Sequence, residues 1–309
     1  VVTAGVLDDA GIASWNAKSL SIYDDVVVIS NVTGASGGFV AGTYPITSVH
    51  DTNGVTMTGA TGGAAACDFR IERAPKVYDP AAGTLTLLSA TAGKGQVPCG
   101  CPLITVFHDR VVLGGAPTAP HAWYASRAGD PLDWDYSPAT TDGGRAIWSG
   151  GVDGGALQFP LTALAAHAED YLLFATVESL WIARGDPALG GQINALSRQV
   201  GVVDKRAWCW GPGGEFIFLS RAGLCMLAGG QVQELSSKTL PRELLDVDSS
   251  QFIPLLAYDR RAKGVHIFVM SIGGAAQTHW FLDWATRGFW PVTLSVSHEP
   301  VSIIEFAAE

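Results

Sequence analysis

Short apolar runs set off by Gly, Pro, Asn and Asp recur along the whole chain. They are of strand rather than helix length, about 4–8 residues. Residues 26–29 are a β-branched run suited to a buried strand. Residues 42–49 read as a strand whose Pro45 places it at an edge. Residues 51–54, Asp-Thr-Asn-Gly, read as a hairpin turn, with 55–58 pairing back. Further strands are predicted over 84–88, 106–113, 122–126, 171–175, 179–183, 215–219, 224–227, 265–270 and 289–292. Three turns share one pattern of hydrophobic residue, Asp, turn residues, Gly and strand, at 78–83, 258–264 and 282–288. In each, Asp79, Asp259 or Asp283 can accept backbone N–H bonds, and Gly83, Gly264 or Gly288 can supply positive φ. Helices are expected to be few, and residues 239–246 are the best candidate, with Thr239 as cap, Pro241 in the first turn and Glu243 early.

Fragments of this pattern repeat. Ser-Arg-Ala-Gly stands at 126–129 and again at 220–223, and Arg-Gly-Asp-Pro at 184–187 echoes Arg-Ala-Gly-Asp-Pro at 127–131. A strand, a polar break and a Gly turn, repeated at intervals of tens of residues, predict a radial or stacked β architecture. The expected fold is mainly β: a propeller-like domain, incomplete or circular, over residues 74–309, with a small inserted β-barrel or sandwich module over 22–73. Residues 1–21, with Trp15, are read as a strand or arm joining the main domain.

Composition narrows the classes. With 48% hydrophobic and 16% charged residues, the chain is no disordered segment and has little charge to solvate a large free surface. Contact with other subunits over much of the surface is the expectation. No apolar run reaches the roughly 18 residues of a membrane-spanning helix, and no signal-peptide pattern is read. The chain begins at Val1 rather than Met, which leaves processing or a missing N-terminal part open. A formal net charge of −10 argues against electrostatic gripping of nucleic acid, though not against a wall that DNA slides past. Five cysteines, Cys67, Cys99, Cys101, Cys209 and Cys225, make a poor disulfide framework. Cys99-Gly-Cys101 could hold a metal only with ligands from elsewhere.

Candidate chemistry has a structural alternative at every position. Asp130, Asp133 and Asp135 could bind calcium or act as acid and base on a glycoside, yet they fall in the repeated turn, where Asp caps backbone N–H groups. Residues 34–38 match G-x-S-x-G, but a second strand follows instead of the helix that a nucleophile elbow needs. Residues 92–96, Ala-Gly-Lys-Gly-Gln, lack the full phosphate-loop spacing. His108, His266 and His279 sit in or beside strands and suit hydrogen-bonded structural roles. Arg127, Arg184 and Arg221 recur after strands, where they can pair with Asp130, Asp186 or carbonyls, or across subunits. Asn31-Val-Thr33 is a glycosylation sequon with no secretory context. The pairs Trp208/Trp210 and Trp280/Trp284 suit core packing, an interface or a carbohydrate site. The expectation is no enzymatic activity, and no catalytic, metal or cofactor residue is assigned.

The segments Asp109-Arg-Val-Val-Leu-Gly-Gly115 and Trp123-Tyr-Ala-Ser-Arg-Ala-Gly-Asp-Pro-Leu-Asp-Trp134 resemble the tail nozzle (tail tubular) proteins of short-tailed phages and their prophage relatives. The likeness continues through residues 216–224 and 278–284, so it covers most of 75–292. Gly42-Thr-Tyr-Pro-Ile-Thr-Ser-Val49 is similar to the small barrel modules inserted into phage tail proteins. The resemblance implies a structural virion protein assembled in the bacterial host cytoplasm. It implies a cyclic ring of identical chains, a hexamer in that family, below an adaptor or portal-side ring. The ring would carry fibres or other tail proteins and pass DNA through its lumen during ejection without specific binding. The alternative reading is a carbohydrate-binding or carbohydrate-cleaving β-propeller acting as a receptor-binding tail protein.

Overall fold

The computed structural model describes residues 2–3, 6–7, 25–37, 39–50, 54–57, 60, 62–64, 66–151, 154–155, 157–168, 170–235, 241–245, 247–272 and 277–293. Trp15, residues 51–53 of the expected hairpin turn, and Thr239 lie outside them. The chain divides into two compact units, Val1–Cys101 with Asp130–Pro138, and Pro102–Gly129 with Ala139–Glu309.

The first unit is built on a six-stranded sheet of β1 (Val2–Thr3), β2 (Val6–Leu7), β3 (Asp25–Thr33), β4 (Gly42–His50), β5 (Gly54–Met57) and β6 (Ala66–Arg73), in the order β1-β2-β5-β4-β3-β6. The hairpin β7 (Lys76–Asp79) and β8 (Thr84–Leu87) follows. Leu7, Val27, Ile29, Phe39, Ile46, Val55 and Met57 form its core, drawn from alternate positions of the strands. The N-terminal strands are placed otherwise than expected. Val6 and Leu7 pair with Thr56 and Val55, so these residues complete the first unit's sheet instead of joining the larger domain. Nor does this unit end at residue 73. It runs on to Cys101 and takes in Asp130–Pro138, because that excursion is hydrogen-bonded to the loop before it. Thr91 N–H donates to Leu132 O at 2.9 Å and Trp134 N–H to Lys94 O at 2.8 Å.

Among its described residues the second unit holds four antiparallel four-stranded sheets, each a simple meander. Blade 1 is β9 (Leu103–Phe107), β10 (Arg110–Ala116), β11 (Ala119–Ala125) and β12 (Ile147–Trp148); blade 2 is β13 (Leu161–His167), β14 (Tyr171–Thr176), β15 (Leu180–Arg184) and β16 (Gln192–Ser197). Blade 3 is β17 (Trp208–Trp210), β18 (Phe216–Ser220), β19 (Gly223–Ala228) and β20 (Gln231–Glu234); blade 4 is β21 (Phe252–Asp259), β22 (Gly264–Ser271), β23 (Gln277–Asp283) and β24 (Phe289–Pro291). First strands of neighbouring blades meet, β9 with β13 and β17 with β21, as in a propeller. One apolar cluster runs through blades 2, 3 and 4, and another joins blades 1 and 2. This explains why Phe216-Ile-Phe-Leu219 is a continuous apolar run rather than an alternation: the strand is buried throughout, with blades on both faces.

Of the helix expected over 239–246, the described residues 241–245 form one 3₁₀ turn, Arg242–Leu244, with Pro241 at the cap position and Leu245 already extended. Its only buried residue is Leu244, too little apolar surface to hold a longer helix in place.

The Asp-to-Gly turns form as expected at their acidic end. Asp79 Oδ1 accepts from Ala81 and Ala82, Asp259 Oδ1 from Arg261 and Ala262, and Asp283 Oδ1 from Thr286. At the glycine end the expectation holds for Gly83 alone (φ 64); in the other two the left-handed residue is Lys263 (φ 53) or Arg287 (φ 56). Gly264 is needed for space instead, since a Cβ there would stand 2.1 Å from the Phe281 ring and 2.5 Å from Leu282 O. Gly264→Ala is therefore expected to destabilise the second unit by about 1–3 kcal/mol, whereas Lys263→Gly should be neutral or stabilising. Urea unfolding of the two variants beside the wild type checks both.

Candidate functional site

The two Ser-Arg-Ala-Gly segments prove not to be equivalent. Ser220–Gly223 is the hairpin turn between the second and third strands of blade 3, where Ser220 Oγ donates to Gly223 O and accepts from Ala222 N–H. Ser126–Gly129 instead follows the third strand of blade 1, where Ser126 Oγ accepts from Val111 N–H.

Arg110 is the centre of a buried polar cluster in the second unit. It is 2% exposed. Its Nε and Nη2 lie 2.9 and 2.8 Å from Asp186 Oδ2. Nη1 donates to Ser126 O at 2.8 Å and Arg145 O at 2.6 Å, and Nη2 donates to Gly143 O at 3.0 Å. One guanidinium thus ties β10 to the end of β11, to the strand-free 143–145 segment and to the Arg-Gly-Asp-Pro turn of blade 2. A planar fork of donors suits this role where an ammonium would not. Asp186 also accepts from Ala188 N–H at 2.9 Å, capping the 3₁₀ turn Pro187–Leu189. Two motif residues far apart in sequence therefore form one buried pair.

The other motif arginines find different partners from those anticipated. Arg127 pairs with Asp142 at 2.7 Å instead of Asp130, and this bond, with Gly144 N–H, holds the Asp142 carboxyl below its ordinary range. Arg221 reaches Glu178 of blade 2 at 3.5 Å, both ends exposed, so solvent screening leaves this contact weak. Arg184 does not pair with Asp186, which Arg110 occupies, and lies at a cleft described below.

Asp130, Asp133 and Asp135 do not converge. Each carboxylate accepts a backbone N–H two residues on: Leu132, Asp135 and Ser137 respectively. Asp133 is buried and ion-paired with Lys94 at 3.0 Å. The glycine-rich 92–96 loop thus clasps the 130–138 excursion rather than cradling a phosphate. Gly95 (φ 72) lies against Trp134, where a Cβ would meet Trp134 O at 2.2 Å. Among the described residues no group of three or more His, Cys, Asp or Glu could hold a metal ion. In the 34–38 segment, Gly34 and Gly37 have φ 63, and the Ser36 backbone pairs both ways with Gly63, so its described part is a turn. Asn31 Nδ2 donates to Asp68 Oδ2 at 2.6 Å. None of the five cysteines is in a disulfide, and Cys209 and Cys225 are buried.

On blade 4, His266 Nδ1 and His279 Nε2 are 2.9 Å apart, and His266 Nε2 faces Asp259 Oδ2 at 3.5 Å. His279 stacks on Phe268 with ring centroids 3.9 Å apart, and His266 lies 5.0 Å from Phe281. Burial, then the neighbouring His266, lowers the His279 pKa from 6.5 to about 4. A depressed histidine binds its proton in the unfolded chain first. Stability from this group is therefore full above pH 6.5 and falls as pH drops toward about 4. Denaturant midpoints across that window should show this loss, and His279→Phe should flatten it.

The Trp pairs serve packing. Trp208 and Trp210 meet edge to face at 6.0 Å and both contact Phe216; Trp284 lies edge-on to Tyr258 and carries Arg287 over its ring at 3.8 Å.

A cleft of about 320 Å³ opens between blades 2 and 3. Tyr171, Ile182 and Arg184 line it from blade 2, on the face whose Leu173 and Ile182 join the shared core. Blade 3 contributes Leu227, Glu215 and two glycine turns, 213–214 and 229–230. Behind Tyr171 stacks His167 at 4.9 Å, which abuts Trp210 edge-on at 5.1 Å. Gly213 N–H donates to Glu215 Oε2 at 2.8 Å. Burial raises the Tyr171 hydroxyl's pKa, Asp170 adds to this and Arg184 opposes it, which keeps the phenol neutral and able to donate. The isolated arginines and glycines gave no sign of this site in sequence, since it exists only where two blades meet.

No family model matches the chain, and no curated protein does. Two solved structures from Bacteroides thetaiotaomicron are similar over most of its length. One is the extracellular domain of a one-component system, at 9% identity and TM-score 0.42, covering 86% of this chain and 28% of that one. The other is a structural-genomics protein of unknown function, at 9% identity and TM-score 0.39, covering 90% of this chain and 66% of that one. The chain thus spans less than two thirds of either, and at these scores neither likeness bears on what the protein does.

Proposed function

We propose that the chain is a structural virion protein of a phage tail, a nozzle-type ring component of the DNA-ejection conduit. One observation carries this reading: the residues through which the sequence resembles tail nozzle proteins are architectural. Arg110 and Asp186 form the buried tie between blades 1 and 2. Asp133 and Trp134 lock the excursion of the first unit. Ser126 and Ser220 set strand ends. The net charge of −10 fits a conduit that repels phosphate and lets duplex DNA slide. Its partners in this reading are further copies of itself, a portal-side adaptor ring, and fibres or other tail proteins. Cryo-EM of purified particles tests the proposal. Density for this fold in a closed tail ring around the DNA path supports it; density only at a fibre tip, or none in the particle, contradicts it.

A second reading, a carbohydrate-binding receptor protein, is favoured by the mixed aromatic and charged lining of the cleft between blades 2 and 3.

A further inference from the structure

We propose that the cleft between blades 2 and 3 binds a carboxylate-bearing sugar, with Arg184 holding the carboxylate and Glu215 the hydroxyls. This rests on the receptor-binding reading of the propeller and is independent of ring closure. Its volume, about 320 Å³, admits a single sugar residue of a longer chain. Arg184 is exposed at the end of β15 and, unlike Arg110 and Arg127, has no carboxylate partner among the described residues. An exposed guanidinium at a cleft, with no carboxylate partner among the described residues, selects a planar anion, which it can bind through two parallel hydrogen bonds.

The remaining lining decides which anion. Inorganic phosphate or acetate would use only the cationic side. Glu215 stands on the opposite wall and would repel a compact anion, but its carboxylate accepts hydroxyl donors. Tyr171 offers a neutral O–H and an aromatic ring, a combination suited to the mixed polar and apolar surface of a pyranose. Ile182 and Leu227 supply an apolar floor. Gly229 (φ 58) and Gly230 (φ 79), where an added Cβ would meet nothing within 4 Å, let a ligand approach the backbone closely. A ligand that is anionic at one end and hydroxylated at the other satisfies both walls; a hexuronic acid has this form. An acidic peptide would satisfy Arg184 but would offer Glu215 single backbone N–H groups in place of a row of hydroxyls.

The test is titration of the full chain with glucuronate, glucose, a uronic-acid oligomer and a short acidic peptide, by ligand-observed NMR and calorimetry. Glucuronate is expected to bind with a Kd of about 1 mM, with glucose at least about tenfold weaker, the loss of one charge-assisted contact. Arg184→Ala should abolish the preference for the acidic sugar, Arg184→Lys should retain part of it, and Glu215→Gln should weaken both sugars. Circular dichroism of each variant confirms folding, and native mass of the same samples reports ring formation separately. Tighter binding of the oligomer than of the monomer assigns the site to a polysaccharide, and equal binding to the free sugar acid. Absence of glucuronate binding, equal binding of glucose, unchanged preference in Arg184→Ala, or preference for the peptide overturns the proposal.

Discussion

Arg110→Met is expected to destabilise the second unit by about 3–5 kcal/mol, the cost of leaving one partner of a buried ion pair alone. Methionine fills much of the volume, so the loss is electrostatic rather than a cavity. The Asp186 carboxylate would stay 8% exposed with no counter-charge, and the carbonyls of Ser126, Gly143 and Arg145 would lose their shared donor. Asp186→Asn in the Arg110→Met background should recover part of the loss, because the amide oxygen can still accept from Ala188 N–H. Denaturant unfolding of the two single variants and the double variant gives the coupling directly. A loss under about 1 kcal/mol for Arg110→Met would show that the cluster contributes no more than an exposed pair does.

The second large effect belongs to the first unit. Trp134 is 0% exposed, and its indole Nε1–H donates to Pro131 O at 2.8 Å. Trp134→Ala removes the largest buried side chain of the 130–138 excursion and should cost about 3–5 kcal/mol. Trp134→Phe should keep most of the packing and lose only the indole hydrogen bond. Amide exchange at Thr91 and at Trp134 itself, or at the residue that replaces it, reports the effect, since both N–H groups join the excursion to its loop. Unaltered protection in Trp134→Ala would mean that backbone pairing alone holds the segment.

What could be read from sequence was local. Asp79, Asp259 and Asp283 announced their turns because an Asp side chain reaches backbone N–H groups two or three residues on, whatever surrounds it. β14, β15, β18, β19, β22 and β24 were legible because short apolar runs between turn residues have few other solutions, whereas the single strand read over 106–113 is the hairpin of β9 and β10, turned at His108 (φ 48) and Asp109 (φ 55). What needed the folded chain was non-local. Arg110 and Asp186 are 76 positions apart, and the repeat of Arg-Gly-Asp-Pro suggested a local pairing that the fold does not use. The reason for Gly264 is the ring of Phe281 on the neighbouring strand, not backbone torsion. Residues 241–245 carried Pro and Glu at helix-start positions, but a helix also needs an apolar face, and only Leu244 is buried. The cleft holding Arg184 depends on how blade 2 meets blade 3, which no motif encodes.

In the role proposed above, as a building block of a closed tail ring, the purified chain should assemble with itself. Native mass spectrometry of the purified protein at low micromolar concentration tests it most directly. The expected result is one species at an integral multiple of the 32.4 kDa chain, a hexamer by the resemblance to nozzle proteins, that persists on dilution. A monomer across the whole concentration range, with or without bound sugar, would contradict it.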